Sequence, residues 1–220
     1  SDLIIIAIPV DATLQLLPGI LDKLDKQVLM DVGSTKGLIC QAVSENKHRG
    51  RFVATHPMWG TEKDGPESVV KDAFKGRVAV ICEKEKTDAD ALQMVETLYS
   101  KIGMQLVYMD ADVHDVHAAY VSHISHIASY ALSLTVLEKE KEEDAIFELA
   151  SGGFESTVRL AKSNPAMWVP IFMQNKENVL DVLNEHISQL RKIKSCLEKE
   201  NFVYLKKLIE NANTIKRILK

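Results

Sequence analysis

The sequence predicts an α/β fold that changes to an all-helical fold near residue 110. Up to that point short apolar runs alternate with amphipathic stretches, and beyond it the runs stop and long helical patterns follow. Apolar strands that alternate with helices are typical of a largely parallel sheet with helices on both faces. We therefore expect two domains, an α/β domain over residues 1–110 and an all-helical domain over residues 111–220.

The predicted elements follow from apolar periodicity and from residues that end helices. Short apolar runs bounded by turn residues predict the strands, and helical periodicity predicts the helices. Gly152, Gly153 and Pro165 divide the helices of the second half. The predicted strands are residues 3–8, 28–32, 51–55, 78–82 and 105–109, with helices at 12–24, 35–44 and 88–102 and then at 112–138, 142–150, 155–163, 167–194 and 199–219.

The composition bears on the class of function. A chain of 220 residues with 46% hydrophobic residues can bury a substantial core. The formal charge of -4 argues against a nucleic-acid partner, which would need a strongly basic surface. The apolar opening at residues 3–8 is too short to span a membrane and lacks the flanks of a signal peptide. Cys40, Cys82 and Cys196 form no CxxC pair, so we expect reduced thiols and a cytoplasmic location.

Three clusters of unusual residues come directly after predicted strands. The carboxyl ends of parallel strands share one edge of a sheet, where ligands bind in open α/β folds, so the clusters predict a common site. Simpler interpretations exist: the second cluster could be a turn and helix cap, and His56 in the third could bind backbone. The clusters are residues 9–11, 31–36 and 56–60.

The helical half contains two pairs of histidines. His114 and His117 are three residues apart, as are His123 and His126, so the members of each pair lie near one another on a helix. Together with Asp115 they could bind a divalent metal ion. The spacing suits a metal only loosely, and no HExxH motif or cysteine set is present, so we assign no metal ligand.

Arg159 follows the glycine pair of the helical half. It could pair on the surface with a nearby acid such as Glu155, or its planar guanidinium could bind a substrate carboxylate through two parallel hydrogen bonds. Spacing alone favours the surface pair.

The ordered set of motifs resembles the prephenate/arogenate dehydrogenase family. No single motif is diagnostic, but order and spacing agree from residue 1 to about 180, and the whole set is highly specific. The matching segments are Ala7-Ile8-Pro9-Val10, Asp31-Val32-Gly33-Ser34-Thr35-Lys36, His56-Pro57-Met58-Trp59-Gly60-Thr61-Glu62, His114-Asp115, Ser122-His123-Ile124-Ser125-His126, Thr157-Val158-Arg159-Leu160-Ala161 and Pro165-Ala166-Met167-Trp168, followed by Asn175.

The resemblance implies both a fold and a reaction. It implies a Rossmann-like cofactor domain joined to a helical domain that binds the small-molecule substrate and builds a homodimer. In the implied reaction, a hydride leaves the ring carbon that bears the hydroxyl for NAD or NADP, and the ring carboxylate leaves as carbon dioxide. Prephenate would give 4-hydroxyphenylpyruvate in tyrosine biosynthesis, and arogenate would give tyrosine. The residues distinguish neither the two substrates nor the two cofactors.

The resemblance also implies roles at the edge of the sheet. His56 matches the catalytic histidine that hydrogen-bonds the ring hydroxyl, and a neutral imidazole can take the proton released there. Ser34 matches the serine placed between this histidine, the nicotinamide and the substrate. Pro9 and Val10, with Ser34, are the expected cofactor contacts.

The remaining implied roles concern the substrate. His126 matches a histidine of the substrate pocket, with His123 as its neighbour. Arg159 matches the arginine that binds the substrate carboxylate, and here the resemblance reverses the interpretation from spacing. Lys36 lies nearby in sequence and is expected to add positive potential.

One part of the family pattern is not found in these residues. The ten glycines include no GxG, so the GxGxxG loop that holds the cofactor's pyrophosphate cannot form. We expect the missing βαβ unit, about 65 residues, to lie upstream, with the residue that chooses NAD over NADP. The 220 residues alone are therefore expected to bind dinucleotide poorly and to be inactive.

Three other kinds of protein stay open, and one of them is a metal-dependent hydrolase that would use His114, Asp115, His117 and His126. A hydroxyacid-type dehydrogenase also joins a Rossmann-like domain to helices, but it usually relies on a catalytic lysine in the helical half. A non-catalytic helical interaction module would explain the long helices and the absent glycine loop. It would leave the grouping of Ser34, His56, His126 and Arg159 as coincidence.

Overall fold

One five-stranded sheet forms the first half of the chain in the computed structural model, which describes residues 1–62, 65–141 and 147–217. Its strands are β1 (Leu3–Ile6), β2 (Val28–Asp31), β3 (Phe52–Pro57), β4 (Val78–Cys82) and β5 (Gln105–Met109). They lie side by side in chain order. The pairs β1–β2, β2–β3 and β4–β5 are parallel, whereas β3 and β4 are antiparallel. The prediction of a mostly parallel sheet is confirmed.

Helices connect the strands and make up the second half of the described chain. The first three are α1 (Val10–Leu21), α2 (Gly37–Ala42) and α3 (Ala89–Lys101). After β5 come α4 (Ala111–Ala118), α5 (Ile124–Glu140), α6 (Gly152–Val158), α7 (Pro165–Gln174), α8 (Lys176–Glu198) and α9 (Phe202–Ala212). The predicted α/β half followed by a helical half is therefore confirmed.

Helices cover both faces of the sheet because successive side chains of a strand point to opposite sides. Leu29 of β2 and Phe52 of β3 are fully buried in a cluster with residues of α1, α2 and α7. The next residues along each strand, Met30 and Val53, belong to a second cluster with residues of α3. Burial on both faces explains why these strands appear in the sequence as continuous apolar runs. It also holds the strand ends, which carry the polar clusters, in fixed positions.

Two predicted helices are divided in the structure. The predicted helix 112–138 becomes α4, a π-helical turn at Ala119–His123, and α5. The predicted helix 167–194 breaks at Asn175, which ends α7 and is buried. Periodicity could not show either break because the helical pattern continues through both. Residues 142–146 of the predicted helix 142–150 lie outside the described residues, and Phe147–Leu149 form a 3-10 turn.

The contacts divide the chain into two compact units, Ser1–Val179 and Leu180–Lys220. The first contains the sheet and the helices up to the start of α8. The second contains the rest of α8, α9 and a 3-10 turn at Asn213–Arg217. The predicted domain boundary near residue 110 lies between β5 and α4, inside the first unit, so that division stays a prediction. Within the described ranges, none of the helices combines the length and apolar character needed to cross a bilayer.

Candidate active site

A cleft of about 650 Å³ lies where the carboxyl end of the sheet meets the helices of the first unit. Its walls come from the end of β3 and the segment after it, from the π-helical turn and α5, and from α7. Because β1, β2 and β3 are parallel, the three predicted clusters do share one sheet edge. Ser34, His56 and His126 all line the cleft, as do Glu62 and Trp168.

His56 is the second-to-last residue of β3, whereas the sequence predicted that it would come directly after the strand. Its Nδ1 lies 2.8 Å from Nε2 of His114 on α4, and the two rings meet edge to face. Burial holds the pKa of His56 well below its usual range, and the nearby His114 and Lys36 lower it further. The imidazole is therefore neutral near pH 7, the state in which it can accept a proton.

His114 is buried and binds its own neighbour in sequence. Its Nδ1 lies 2.8 Å from Oδ1 of Asp115. The backbone amides of Lys36 and Gly37 donate to the two carboxylate oxygens of Asp115, each at 2.8 Å. A carboxylate that accepts several hydrogen bonds is held in one orientation. His56 of β3 is thus connected to the start of α2 through His114 and Asp115 of α4.

Lys36 lies inside the protein rather than in the cleft. Its ammonium group pairs with the carboxylate of Asp31, and both side chains are fully buried. Asp31 also accepts the amides of Gly33 at 3.0 Å and Thr55 at 3.2 Å. The expected role of Lys36 in substrate binding is therefore not one of direct contact, because the ammonium group is buried and already paired.

His126 and Trp168 form one wall of the cleft. Their rings stack with centroids 3.4 Å apart and planes at 26°. His126 Nδ1 donates to the Ser122 carbonyl at 3.1 Å, which leaves its other ring nitrogen for the cleft. Burial lowers the pKa of His126, so this histidine is neutral near pH 7.

His123 supports this wall from behind. It is 1% exposed, and its ring meets the edges of Trp168 and Phe172. Its Nδ1 accepts a hydrogen bond from the Asn175 side chain at 3.2 Å. Burial lowers the pKa of His123 to about 4. His123 is not among the described residues that line the cleft. Its effect on the substrate, which was expected to be a direct contact, can therefore act only through Trp168.

Arg159 lies in the 3-10 turn after α6 and is not among the described residues that line the cleft, but it contacts Glu62, which is. Its Nη1 donates to Oε2 of Glu62 at 2.7 Å. The sequence suggested Glu155 as a surface partner, whereas the acid that Arg159 binds is 97 residues away and lines the cleft. The arginine side chain remains 49% exposed, so the guanidinium is accessible to a ligand.

The three expected cofactor contacts differ in accessibility. Ser34 lines the cleft beside His56, and Pro9 is exposed where it precedes α1. The side chain of Val10 is buried in the core, so Val10 could meet a ligand only through its backbone.

Most of the residues considered as metal ligands in the sequence have other contacts in the structure. His114 and Asp115 bind each other, His117 is exposed, and His126 stacks on Trp168. In the part of the chain that the structure describes, no three His, Cys, Asp or Glu residues group as metal ligands. Cys40, Cys82 and Cys196 are all buried as free thiols.

Sequence reasoning missed four contributors to the site. It gave Trp168 and Glu62 no role beyond their motifs, and it considered His114 and Asp115 only as a motif and as possible metal ligands. The His114-Asp115 motif was a usable signal, whereas adjacency itself was not, because neighbouring side chains on a helix do not face each other. The contacts of Glu62 and Trp168 depend on distant parts of the chain and left no local signal.

Two family models match the chain in succession. The nucleotide-binding domain of prephenate dehydrogenase matches residues 1–108, and the dimerization domain of prephenate dehydrogenase matches residues 110–211. Fold and matches together define a class of protein in which a nucleotide-binding domain precedes a helical dimerization domain. The chain belongs to the prephenate dehydrogenase family.

Individual relatives agree with this assignment. The prephenate dehydrogenase of Bacillus subtilis (strain 168) is 30% identical over 201 residues, which are 90% of this chain and 54% of that protein. A crystal structure of prephenate dehydrogenase from Aquifex aeolicus is 30% identical with a TM-score of 0.87, and covers 99% of this chain and 77% of that one. A second crystal structure shows prephenate dehydrogenase from A. aeolicus in complex with hydroxyphenyl propionate and NAD+. It is 29% identical with a TM-score of 0.89, and the match covers 100% of this chain and 77% of that one. The chain spans about half the length of the Bacillus protein.

Proposed function

We propose that the protein catalyses the oxidative decarboxylation of prephenate to 4-hydroxyphenylpyruvate in tyrosine biosynthesis, with NAD or NADP as hydride acceptor. The observation that carries the proposal is His56, a neutral histidine that lines the cleft while His114 holds its Nδ1. The A. aeolicus enzyme that was crystallised with hydroxyphenyl propionate and NAD+ supports a similar pair of ligands here. Arogenate, with an amino group in place of the keto group, is the alternative substrate.

His56 acts as the proton acceptor of the reaction. Removal of hydride from the ring carbon leaves its hydroxyl as a protonated carbonyl, and a base must take that proton. His56 is neutral near pH 7 because burial lowers its pKa, so its unprotonated nitrogen is available. Ser34, which lines the same cleft, orients the hydroxyl rather than attacking it.

The edge of the sheet fits the nicotinamide end of the cofactor. Ser34 lies in the cleft with His56, and the exposed Pro9 leads into α1 at the same edge. NAD or NADP bound there would supply the hydride acceptor. The protein's part is to place the ring carbon and its hydroxyl correctly, which accounts for much of the rate in such reactions.

Arg159 and the wall formed by His126 and Trp168 bind the substrate. The guanidinium can grip a carboxylate with two parallel hydrogen bonds, once that carboxylate displaces Glu62. Trp168 offers an apolar face to the ring, and His126 offers a ring nitrogen.

Loss of carbon dioxide requires that the ring carboxylate is not held too strongly. Aromatisation of the ring drives this step, and strong stabilisation of the ground-state carboxylate would oppose it. Lys36 is the cation closest in sequence to Ser34, and its charge is neutralised by Asp31 in the interior. The buried pair therefore stabilises the loop of Ser34 without placing a free ammonium group against the substrate.

A homodimer through the helices is the proposed assembly. Leu134 and Leu137 of α5 are 66% and 50% exposed, and Met173 of α7 is 71% exposed, which is unusual for large apolar side chains. The match to a dimerization domain supports a second copy as their partner. Sedimentation of the purified protein as a dimer is expected, and a monomer at micromolar concentration would contradict it.

The deciding assay uses the extended protein, defined as these 220 residues joined to a first βαβ unit of the kind that the family resemblance implies. Prephenate-dependent reduction of NAD or NADP, followed by absorbance, is the expected result. Arogenate is tested in parallel to decide between the two substrates. An extended protein inert with both would contradict the proposal. Calorimetry of the 220 residues alone with NAD measures their own dinucleotide affinity.

A substitution in the extended protein identifies the base. His56→Asn should lower kcat by about 100-fold or more, because a general base contributes that much, while KM changes little. His117→Asn, on the exposed side of α4, is the matched control and should keep full activity. Equal activity of the two variants would favour a hydroxyacid-type dehydrogenase or a non-catalytic interaction module over the proposed enzyme.

A further inference from the structure

A chain of three hydrogen-bonded side chains runs from the cleft into the protein interior. It begins at His56, whose Nδ1 lies 2.8 Å from His114 Nε2, and continues from His114 Nδ1 to Asp115 Oδ1, again at 2.8 Å. His114 is 2% exposed and Asp115 is 5% exposed, so bulk water does not compete for these bonds. The orientation of the cleft histidine is thus set by buried groups.

The backbone determines the direction of the hydrogen bonds in this chain. The amides of Lys36 and Gly37 donate to Asp115, which therefore accepts as a carboxylate. His114 Nδ1 must then donate to the same carboxylate, which leaves a lone pair on His114 Nε2 when the ring is neutral. With His114 in that neutral form, the contact is made only if His56 donates to the lone pair from Nδ1. The lone pair of His56 consequently lies on Nε2, the nitrogen that remains for the cleft.

Asp115, at the end of the chain, is fixed by groups from three elements, two of which bind its carboxylate and one its backbone carbonyl. The start of α2 supplies the two amides, and Asp115 itself belongs to α4. Asn175, at the junction of α7 and α8, donates to the Asp115 carbonyl at 2.7 Å. Asn175 is 3% exposed, so this contact is also protected from water. The convergence of three elements on one residue favours a single fixed geometry over several rotamers.

We infer that His114 is a positioning residue that holds His56 in the tautomer with its proton on Nδ1, with Asp115 as the anchor. The inference rests on the proposed function, in which Nε2 of His56 accepts the proton of the substrate hydroxyl. A histidine with its proton on Nε2 would present a donor to the cleft and could not act as the base. In serine-protease triads a buried carboxylate controls a tautomer in the same way, and the wrong tautomer lowers the rate.

Nitrogen-15 NMR of the histidine side chains tests the tautomer directly in the 220-residue chain. Near neutral pH, His56 should show a protonated Nδ1 and an unprotonated Nε2. In His114→Leu, which removes the acceptor, the proton should redistribute toward Nε2. His114→Gln should retain the original tautomer because its amide oxygen can still accept from His56 while its NH2 group donates to Asp115. A His56 that carries its proton on Nε2 in the unchanged protein would overturn the inference.

Kinetics of the extended protein test whether the tautomer matters for turnover. His114→Leu should lower kcat by about 100-fold, the scale for loss of a group that orients a functional histidine, with KM for prephenate little changed. His114→Gln should recover most of the lost kcat. His117→Leu, on the same helix but exposed, is the control and should leave kcat unchanged.

The two measurements separate the inference from the proposed function. An extended protein that oxidises neither prephenate nor arogenate contradicts the proposed function, and the NMR experiment still decides the tautomer. An active protein whose kcat is unaffected by His114→Leu overturns the inference and retains the proposed function. Should His114→Leu fail to fold, the spectra of the unchanged protein and of His114→Gln decide, since neither removes a buried hydrogen-bonding group.

Discussion

Nη1 of Arg159 lies 2.7 Å from Oε2 of Glu62, and this ion pair joins the helical part of the first unit to the segment after β3. Glu62 lines the cleft and is 20% exposed, whereas the arginine is 49% exposed. In the proposed function, a substrate carboxylate that binds the guanidinium competes with Glu62. We therefore predict that the pair affects the strength of substrate binding and takes no part in the chemistry.

Removal of Glu62 should tighten substrate binding. An exposed ion pair contributes at most about 1 kcal/mol, so Glu62→Gln in the extended protein should lower KM for prephenate by about two- to fivefold. Arg159→Lys should raise KM by about tenfold or more, because lysine cannot form the two parallel hydrogen bonds. Glu85→Gln, at an acid that is 82% exposed and lies 3.8 Å from Lys84, is the control. A rise in KM in Glu62→Gln would show that Glu62 binds the substrate instead of competing with it.

The buried pair of Lys36 and Asp31 should matter for stability. Lys36→Met leaves the Asp31 carboxylate buried without its cation, which costs about 3–5 kcal/mol of unfolding free energy. Denaturant unfolding of the 220-residue chain measures the loss. The double variant Lys36→Met with Asp31→Asn should be less destabilised than the single one, because no uncompensated charge remains. Lys86→Met removes an exposed pair with Glu83 and should change stability by less than about 1 kcal/mol. An equal effect of the two lysine variants would contradict the prediction.

His123 should make the fold sensitive to acid. Its pKa is about 4 in the folded protein because burial disfavours the charged form, and about 6.5 when unfolded. Between these values the unfolded chain binds a proton that the folded chain does not. Its contribution is therefore fully present above about pH 6.5 and is lost as the pH falls toward 4, by about 3 kcal/mol at most.

The measurement for His123 compares two pH profiles of stability. The pKa values of His56 and His126 are also lowered, so they add to the slope in the unchanged protein. His123→Gln removes one titrating group and keeps an acceptor for Asn175, and its stability should fall less steeply between pH 6.5 and 4. Identical slopes for the two proteins would exclude His123 as a source of acid sensitivity.

Local sequence patterns were sufficient to predict the architecture and the site residues that line the cleft. The strand ends placed Ser34 and His56 at one sheet edge because parallel strands leave their carboxyl ends together. The helix that carries His126 was found from periodicity, and the structure brings His126 into the same cleft. Their chemical roles remain predictions, to be decided by the assays above.

Contacts between distant segments were beyond the reach of local patterns. Lys36 was expected to add positive potential near the substrate, yet the fold buries it against Asp31. Arg159 has an acid four residues before it, but it binds one that is 97 residues away. Charge and spacing say which groups can pair, whereas burial and chain path decide which groups do.

The sequence by itself determined the α/β-to-helical architecture, the family resemblance and the histidines of the site, because apolar periodicity and motif order are local properties of the chain. The tertiary structure decided which nitrogen of His56 is left for the cleft. That choice depends on a histidine and a carboxylate from α4, two backbone amides from the start of α2 and His56 itself from β3, and these groups meet only in the folded protein.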